Sequence, residues 1–282
     1  MITCNLMGGL GNQIFQIFAT VSYAIKTGKR FNFMNGDTLG CGSTTIRNTF
    51  WKTFFSKLQP FLITELPKVY VIKEKEFSYN KLPVWKIDEK DIMLCGYFQS
   101  YKYFQDNYDI IYRMICVEKM KNALLNKINL DANFLEDTIS LHFRIGDYKK
   151  AIAYHPLATY DYYESSLKYI LSKTDREKKY NILYFCEDVD IYDVLITITS
   201  LQQQFPNYIF MRGDNTLADW EQLLLMSCCH HNIIANSTFS WWAAYFNSWK
   251  DKIVCYPSVW FGNIANHDTK DLCPEEWIKI QV

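Results

Sequence analysis

The stretch SLHFRIGDY, residues 140–148, lies near the middle of the 282-residue chain and combines a strand with a charged loop. β-Forming residues lead into it and Gly146-Asp147 is a turn dipeptide, so we predict a strand that ends in a loop. Strand alternation places His142 and Arg144 on one face. An arginine at the carboxyl end of a parallel strand, beside a glycine, suits a phosphate group. The alternative is a structural ion pair between Arg144 and Asp147, and the stretch alone does not separate the two.

Outward from this stretch, the second half of the chain alternates strand and helix patterns. We expect helices between successive apolar β-forming runs, which predicts an α/β unit with a parallel sheet. The polar segment 131–137 is the predicted boundary, so we place the domains at 1–134 and 135–282. The further predicted strands are Asn181–Cys186, Tyr208–Met211, Asn232–Ala235 and Ile253–Tyr256.

The amino-terminal half opens with a strand at Ile2–Leu6, a glycine turn, a helix from about Gln13 to Thr27 and a second strand at 31–34. This order begins a nucleotide-binding α/β unit. A third fingerprint glycine and a G-K-[ST] motif are both missing, and a simple tight turn is the alternative. Glycines let backbone N–H groups and the helix terminus face a bound group, so we expect this loop to face a cleft. The residues of the loop that we single out are Gly8, Gly9, Gly11, Asn12 and Gln13.

The composition of the chain limits the classes of binding partner and the cellular location that we expect. Lysine plus arginine equals aspartate plus glutamate, at 30 each, so no overall charge attracts nucleic acid or anionic lipid. The nine cysteines form no C-x-x-C pair, which indicates reduced thiols and no zinc site. No signal peptide and no apolar run of the ~18–20 residues of a membrane span is visible. We therefore expect a soluble cytoplasmic protein, free or peripheral at a membrane.

A second polar segment, Asn236–Ser240, follows a buried strand and opens the last helix. Helix N-terminal N–H groups and hydroxyls at such a junction suit phosphate oxygens. The alternative is ordinary N-capping by Ser237 or Thr238. Trp241-Trp242 behind the segment is expected to pack in the core.

Three blocks in chain order resemble signature segments of the α-1,2-fucosyltransferases of glycosyltransferase family eleven. They are MGGLGNQIFQ at 7–16, LHFRIGDY at 141–148 and NSTFSWWAAY at 236–245. Residues 95–100 and 227–231 resemble further family segments. The resemblance implies a GT-B fold, with two Rossmann-like domains whose parallel sheets face a central cleft. It also implies a GDP-fucose donor, inversion at the fucose C1, and neither a metal nor another cofactor.

The resemblance also implies roles for single residues. Arg144 would bind the diphosphate and stabilise the leaving group, His142 would lie near the guanine and ribose, and Asp219 would accept hydrogen bonds from guanine. Asn12 would face the reacting centre from the amino-terminal, acceptor-side domain. The donor-phosphate residues would be Asn236, Ser237, Thr238, Phe239 and Ser240.

This chain departs from the family pattern at two places. Ile145 stands where the family usually has a second arginine, so one basic group is missing near the phosphates. Cys186-Glu187-Asp188 stands where many members have S-D-D. The D-x-D at 188–190 lies at a strand end, where we expect it to cap a helix instead of holding a metal.

The chemistry leads to a transfer reaction. Breaking a sugar–diphosphate bond develops negative charge on the leaving oxygen, so a metal-free enzyme must supply fixed donors there. An inverting transfer also needs a base or an orienting group for the acceptor hydroxyl, and Asp147, Glu187 and His155 stay open as candidates. Together with this chemistry, the family resemblance implies a galactoside 2-α-L-fucosyltransferase that acts on a glycan with terminal galactose. The alternatives are a glycan-binding module without turnover and a transferase that uses another nucleotide sugar.

Overall fold

The computed structural model describes residues 1–40, 46–84, 90–174, 178–265 and 267–281. The chain divides into two compact units, Met1–Lys119 with His267–Pro274, and Met120–Asn266 with Glu275–Val282. The predicted domain limits 1–134 and 135–282 stay a prediction, and the units differ from them at two places. Lys127 pairs with Glu221 at 2.7 Å, which ties the segment before residue 134 to the second unit. The Lys102–Asp271 ion pair ties the segment His267–Pro274 to the first unit.

The first unit is built on a parallel sheet whose strand order is β1-β7-β6. The buried face of α1 packs on it, and Gly28, at φ 65°, ends that helix. The predicted strand 31–34 forms as Phe33–Met34 and pairs with β5 outside this sheet. The strands are β1 Ile2–Cys4, β2 Phe33–Met34, β3 Thr38–Leu39, β4 Arg47–Asn48, β5 Leu62–Ile63, β6 Val69–Lys73 and β7 Asp91–Cys95. Its α-helices are α1 Leu10–Thr27 and α2 Tyr108–Ile115, and the next helix, α3 Val117–Ile128, belongs to the second unit from Met120 onward.

The second unit alternates strands and helices as the sequence predicts. Its strands are β8 Thr138–His142, β9 Asn181–Phe185, β10 Ile209–Arg212, β11 His231–Ile233, β12 Val254–Pro257 and β13 Ile278–Ile280. Its helices are α4 Ala132–Glu136, α5 Tyr160–Lys173, α6 Ile191–Gln204, α7 Asp219–Cys228 and α8 Thr238–Phe246.

The sheet of the second unit has the order β10-β9-β8-β11-β12-β13, and its pairings are parallel. Numbered within the unit, this is the Rossmann order 3-2-1-4-5-6, which reverses between β8 and β11. Buried residues of the sheet and of the helices α5 and α6 form the core. The predicted α/β class and parallel sheets are confirmed, and two such units are the building plan of a GT-B fold.

Two further features of the described residues are the length of their helices and the state of their thiols. None of its helices has both the length and the apolar character needed to cross a bilayer. Its cysteines carry free thiols, and burial raises the pKa of Cys4 and of Cys255 to about 12. These two thiols therefore stay protonated and inert.

Candidate functional site

The reversal of strand order between β8 and β11 brings three predicted segments to one edge of the sheet. Arg144 follows β8, Glu187 follows β9, and the segment Asn236–Ser240 follows β11. Because these neighbouring strands are parallel, their carboxyl ends lie at the same edge. Ligands of open α/β sheets bind in the crevice outside such a reversal.

Arg144 is held at this edge by two carboxylates. Its Nη2 donates to Asp147 Oδ1 at 2.6 Å, and its Nη1 donates to Glu187 Oε1. The guanidinium carbon also lies 5.3 Å from the centre of the Tyr148 ring. The ion pair with Asp147 that the sequence offered as an alternative therefore exists, and it leaves a fixed cation at the reversal.

Tyr148 connects the loop after β8 to the loop after β11. Its hydroxyl donates to the carbonyl oxygen of Asn236 at 3.0 Å, and its ring stacks on His155 with centroids 4.5 Å apart. Burial raises the pKa of Tyr148 to about 12, so the phenol stays a donor at neutral pH. Sequence reasoning gave Tyr148 no role, although it is the last residue of the deciding stretch.

His142, the last residue of β8, is buried and neutral. Burial, with a smaller contribution from the charge of Arg144, lowers the pKa of its imidazole to about 3. Tyr163 donates to its carbonyl oxygen at 3.0 Å, and Phe239 lies with ring centroids 5.7 Å away. Within the described residues, Nδ1 of His142 has no hydrogen-bond partner. The structure thus brings together two of the predicted donor residues, His142 and Phe239.

The segment Asn236–Ser240 caps a helix, as the alternative interpretation predicted, and its role in phosphate binding stays a prediction. Ser237 caps α8, because its Oγ accepts from the backbone N–H of Phe239 at 3.4 Å. Asn236 anchors two loops by donating from Nδ2 to Pro156 O at 2.8 Å and to Trp260 O at 3.1 Å. Thr238 begins α8, so the amino end of that helix lies at the edge beside β8. Capping therefore coexists with an arrangement suited to anions.

Behind this segment the chain is core. Ser240 is buried and donates from its hydroxyl to Ser237 O at 3.4 Å. Trp241 and Trp242 are fully buried, as the sequence predicts. Ser240 is thus directed toward the backbone of its own helix in this structure.

The D-x-D residues at the end of β9 have separate partners. Asp188 pairs with Arg212 and accepts from Asn215 Nδ2 at 3.1 Å, whereas Asp190 Oδ2 accepts from the backbone N–H of Gly146 at 2.7 Å. The two residues are the ends of a short 3-10 helix, Asp188–Asp190, and Asp190 stands at the N-cap position of α6 without the side-chain capping hydrogen bond that the sequence predicted. In the ranges that the structure describes, no three His, Cys, Asp or Glu side chains are grouped as a metal site requires. Metal independence itself stays a prediction.

The remaining sequence candidates lie apart from these contacts. Asp219 is exposed in the first turn of α7, where a carboxylate is favourable near the helix dipole. His155 stacks on Tyr148 and has a tilted ring contact with Phe261.

In the first unit the glycine loop lies at the carboxyl end of β1. Gly8 has φ 78°, and a Cβ there would lie 2.3 Å from Nδ2 of Asn12, so the position requires glycine. Gly9 caps α1 and Gly11 lies in its first turn. Gln13 Nε2 donates to the carbonyl oxygens of Gly8 and Asn48 at 3.0 and 2.8 Å. The loop is therefore fixed by its own side chains.

Gln99 is a neighbour of this loop that sequence reasoning missed. Its Nε2 donates to Oδ1 of Asn12 at 3.0 Å from the carboxyl end of β7, the parallel neighbour of β1. Glu74 fixes the same turn by accepting from the backbone N–H groups of Tyr97 and Phe98 at 2.7 and 2.9 Å. The resemblance of residues 95–100 to a family segment was the available signal.

A Rossmann-ordered sheet with an arginine and a helix amino end at its reversal is typical of α/β proteins that bind anionic, nucleotide-type ligands. The family model described as Glycosyl transferase family 11 matches residues 43–281. The chain belongs to glycosyl transferase family 11, which confirms the resemblance drawn from the three motifs.

Two relatives are similar to this chain over almost their full length, and one solved structure is similar over part of its length. The O-antigen biosynthesis glycosyltransferase WbnK of Escherichia coli is 27% identical over 315 residues, covering 99% of this chain and 100% of that protein. An alpha-1,2-colitosyltransferase of Escherichia coli is 27% identical over 314 residues, covering 100% of this chain and 99% of its own. An Arabidopsis thaliana FUT1 mutant in complex with GDP is 10% identical with a TM-score of 0.49, covering 90% of this chain and 70% of that one.

Proposed function

We propose that this glycosyltransferase moves L-fucose from GDP-fucose to the 2-hydroxyl of a galactoside, with inversion at the fucose C1. The observation that carries the proposal is the fixed Arg144 guanidinium at the sheet reversal, beside the amino end of α8. A cation and a helix amino end at one edge suit a sugar diphosphate. The three family motifs support the choice of a fucosyl donor.

In the proposed reaction, the acceptor 2-hydroxyl attacks C1 of fucose as the bond from C1 to the β-phosphate oxygen breaks. Negative charge then develops on GDP, and Arg144 with the N–H groups at the start of α8 stabilises it. The Ser237 and Thr238 hydroxyls are proposed to bind phosphate oxygens. His142, neutral because of its buried position, can donate or accept one hydrogen bond to the nucleoside but cannot carry charge at neutral pH.

The proton of the acceptor hydroxyl needs a base or an orienting group. Asp147 and Glu187 are both occupied by Arg144, and His155 is stacked on Tyr148. Either carboxylate must leave the Arg144 guanidinium before the oxygen atom that now accepts from it can contact the acceptor hydroxyl. Asn12 is proposed to orient the acceptor from the first unit, and Asp219 to contact guanine.

A second donor is a specific alternative. One full-length relative is named an alpha-1,2-colitosyltransferase. Colitose is fucose without its 3-hydroxyl, so the same diphosphate site would serve both donors. Discrimination would depend on a polar group at O3 of the sugar, since a site built to hydrogen-bond a hydroxyl rejects the deoxy analogue. A glycan-binding module without turnover is less favoured, because Arg144, His142 and the α8 terminus are all present.

The test is GDP release with GDP-fucose or GDP-colitose against a panel of β-galactosides, with and without chelator. We expect release with GDP-fucose and a terminal galactose, a product linked α-1,2, and a rate within about twofold in EDTA, because protein groups supply the charge. Preference for GDP-colitose would transfer the assignment to the second donor. No release with either donor would contradict the proposed function, and loss in EDTA restored by Mn²⁺ would contradict the metal-free mechanism.

A further inference from the structure

The two carboxylates on Arg144 differ in how they are held. Asp147 lies three residues from the arginine, in the same loop. Glu187 comes from the neighbouring strand end, and among the described residues Arg144 is the one side chain that bonds its carboxylate. The Glu187 side chain is 49% exposed, so it can turn into solvent at little cost once it leaves the arginine.

Glycine at position 146 allows this approach. A Cβ on Gly146 would lie 3.0 Å from Glu187 Oε2, closer than side chains ordinarily pack. The Gly146 N–H is bonded to Asp190 at 2.7 Å, so the loop holds its shape without Glu187. The neighbouring acidic residues form ion pairs with other basic residues, Asp188 with Arg212 and Asp193 with Lys149.

We propose that the Glu187 carboxylate occupies the position on the Arg144 guanidinium that the donor diphosphate takes when it binds. Its carboxylate neutralises Arg144 and keeps the guanidinium in the position that the phosphate oxygens require. The donor binds by exchange, in which the diphosphate displaces the carboxylate from the guanidinium and Glu187 moves to solvent. Glu187 is thus a positioning residue, a role that differs from that of a base. The inference rests on the proposed function, because it takes the ligand to be a nucleoside diphosphate.

If the diphosphate displaces Glu187 from Arg144, removing the negative charge of Glu187 should strengthen GDP binding. Glu187→Gln keeps the size of the side chain but competes less for Arg144, so GDP should bind about three- to tenfold more tightly. Guanosine has no phosphate, and its affinity should stay within about twofold. Asp188→Asn is the matched control, because it removes the same charge from the adjacent residue, which pairs with Arg212 and not with Arg144.

The experiment is calorimetric titration of GDP and of guanosine into the full-length wild type, Glu187→Gln and Asp188→Asn, with thermal unfolding to confirm folding. Tighter GDP binding by Glu187→Gln, well beyond that of Asp188→Asn, supports the exchange. Equal gains in both variants would show only general repulsion and overturn it. Unchanged or weaker GDP binding by a folded Glu187→Gln protein, including one that loses turnover as a missing base would cause, also overturns it. A wild type that binds no GDP would instead contradict the proposed function.

Discussion

Arg144 is the residue on which the proposed chemistry depends most directly. Its side chain is 23% exposed, and its guanidinium lies on the face of Tyr148 and has two acidic neighbours, so the protein itself sets its position. Preorganised charge of this kind stabilises a developing anion without reorganisation during the reaction. Ile145 beside it supplies no second cation, which concentrates the charge chemistry on one side chain.

We therefore expect Arg144→Ala to lower turnover by about 10²–10³, the usual cost of losing one donor to a developing negative charge. Arg144→Lys should also be poor, because an ammonium reproduces neither the planar fork nor the stacking on Tyr148. Steady-state kinetics with saturating donor measure both, and Arg212→Lys at the end of β10 is the matched control. A lysine variant at position 144 with near wild-type turnover would refute this role.

The roles of single residues could be predicted from the sequence where the residues lie together in one short motif. Arg144, Asp147 and the turn glycine lie within four positions, so their proximity needs no tertiary information. The partner Glu187 lies 43 residues away, and its contact depends on which strand neighbours β8. The sequence offered Glu187 only as a candidate base, because strand order is a property of the folded sheet.

At the scale of elements, the site consists of the loop after β8 and the loop after β11. Tyr148 in the first loop and Asn236 in the second lie 88 positions apart in the sequence. The Tyr148 hydroxyl joins them directly, and its ring supports Arg144 on the same side chain. The distance between the arginine and the start of α8 is therefore set partly by one tyrosine.

Tyr148→Phe removes this connection and keeps the ring. We expect GDP to bind about three- to tenfold more weakly, as the loss of one hydrogen bond implies. Tyr180→Phe is the control, since it removes a buried hydroxyl contact, 3.3 Å from His231 Nε2, near the opposite ends of the strands. The two variants should unfold at similar temperatures and differ in GDP affinity. Equal GDP affinities would show that the Tyr148 hydroxyl is structural only.

The elements themselves were predictable where apolar β-forming runs alternate with helices, as in β8 to β12. The strands β3, β4 and β5 escaped prediction because they have only two residues each, and β6 and β13 escaped it for other physical reasons. β6, Val69–Lys73, is largely exposed and mixes lysine with apolar residues, and β13, Ile278–Ile280, is short. β2 was predicted as a strand, but only the structure shows that it pairs with β5.

On the scale of the molecule, buried histidines make stability depend on pH. Burial lowers the pKa of His142 and of His231 to about 3, from about 6.5 in the unfolded chain. Between these values the unfolded chain binds protons that the folded protein does not. The free energy of unfolding should therefore fall as pH decreases from 6.5, by up to about 1.4 kcal/mol per pH unit for each histidine.

Urea denaturation at steps between pH 7 and 5 measures this slope above the range in which carboxylates titrate. His142→Gln cannot take up the proton and should reduce the slope by about one proton, even if it lowers stability at pH 7. A wild type with the same stability at pH 7 and pH 5 would show that these histidines are not held neutral.

The central claim for the whole molecule is that the donor binds at the β8–β11 edge and that the glycine loop of the first unit serves the acceptor. Calorimetric titration of GDP into the wild type, Asn12→Ala and a Ser237→Ala/Thr238→Ala double variant tests it directly. We predict GDP affinity within a few-fold of wild type for Asn12→Ala, with lower turnover, and clearly weaker GDP binding for the double variant. If Asn12→Ala loses GDP binding and the double variant keeps it, the nucleotide binds at the glycine loop and the claim is contradicted.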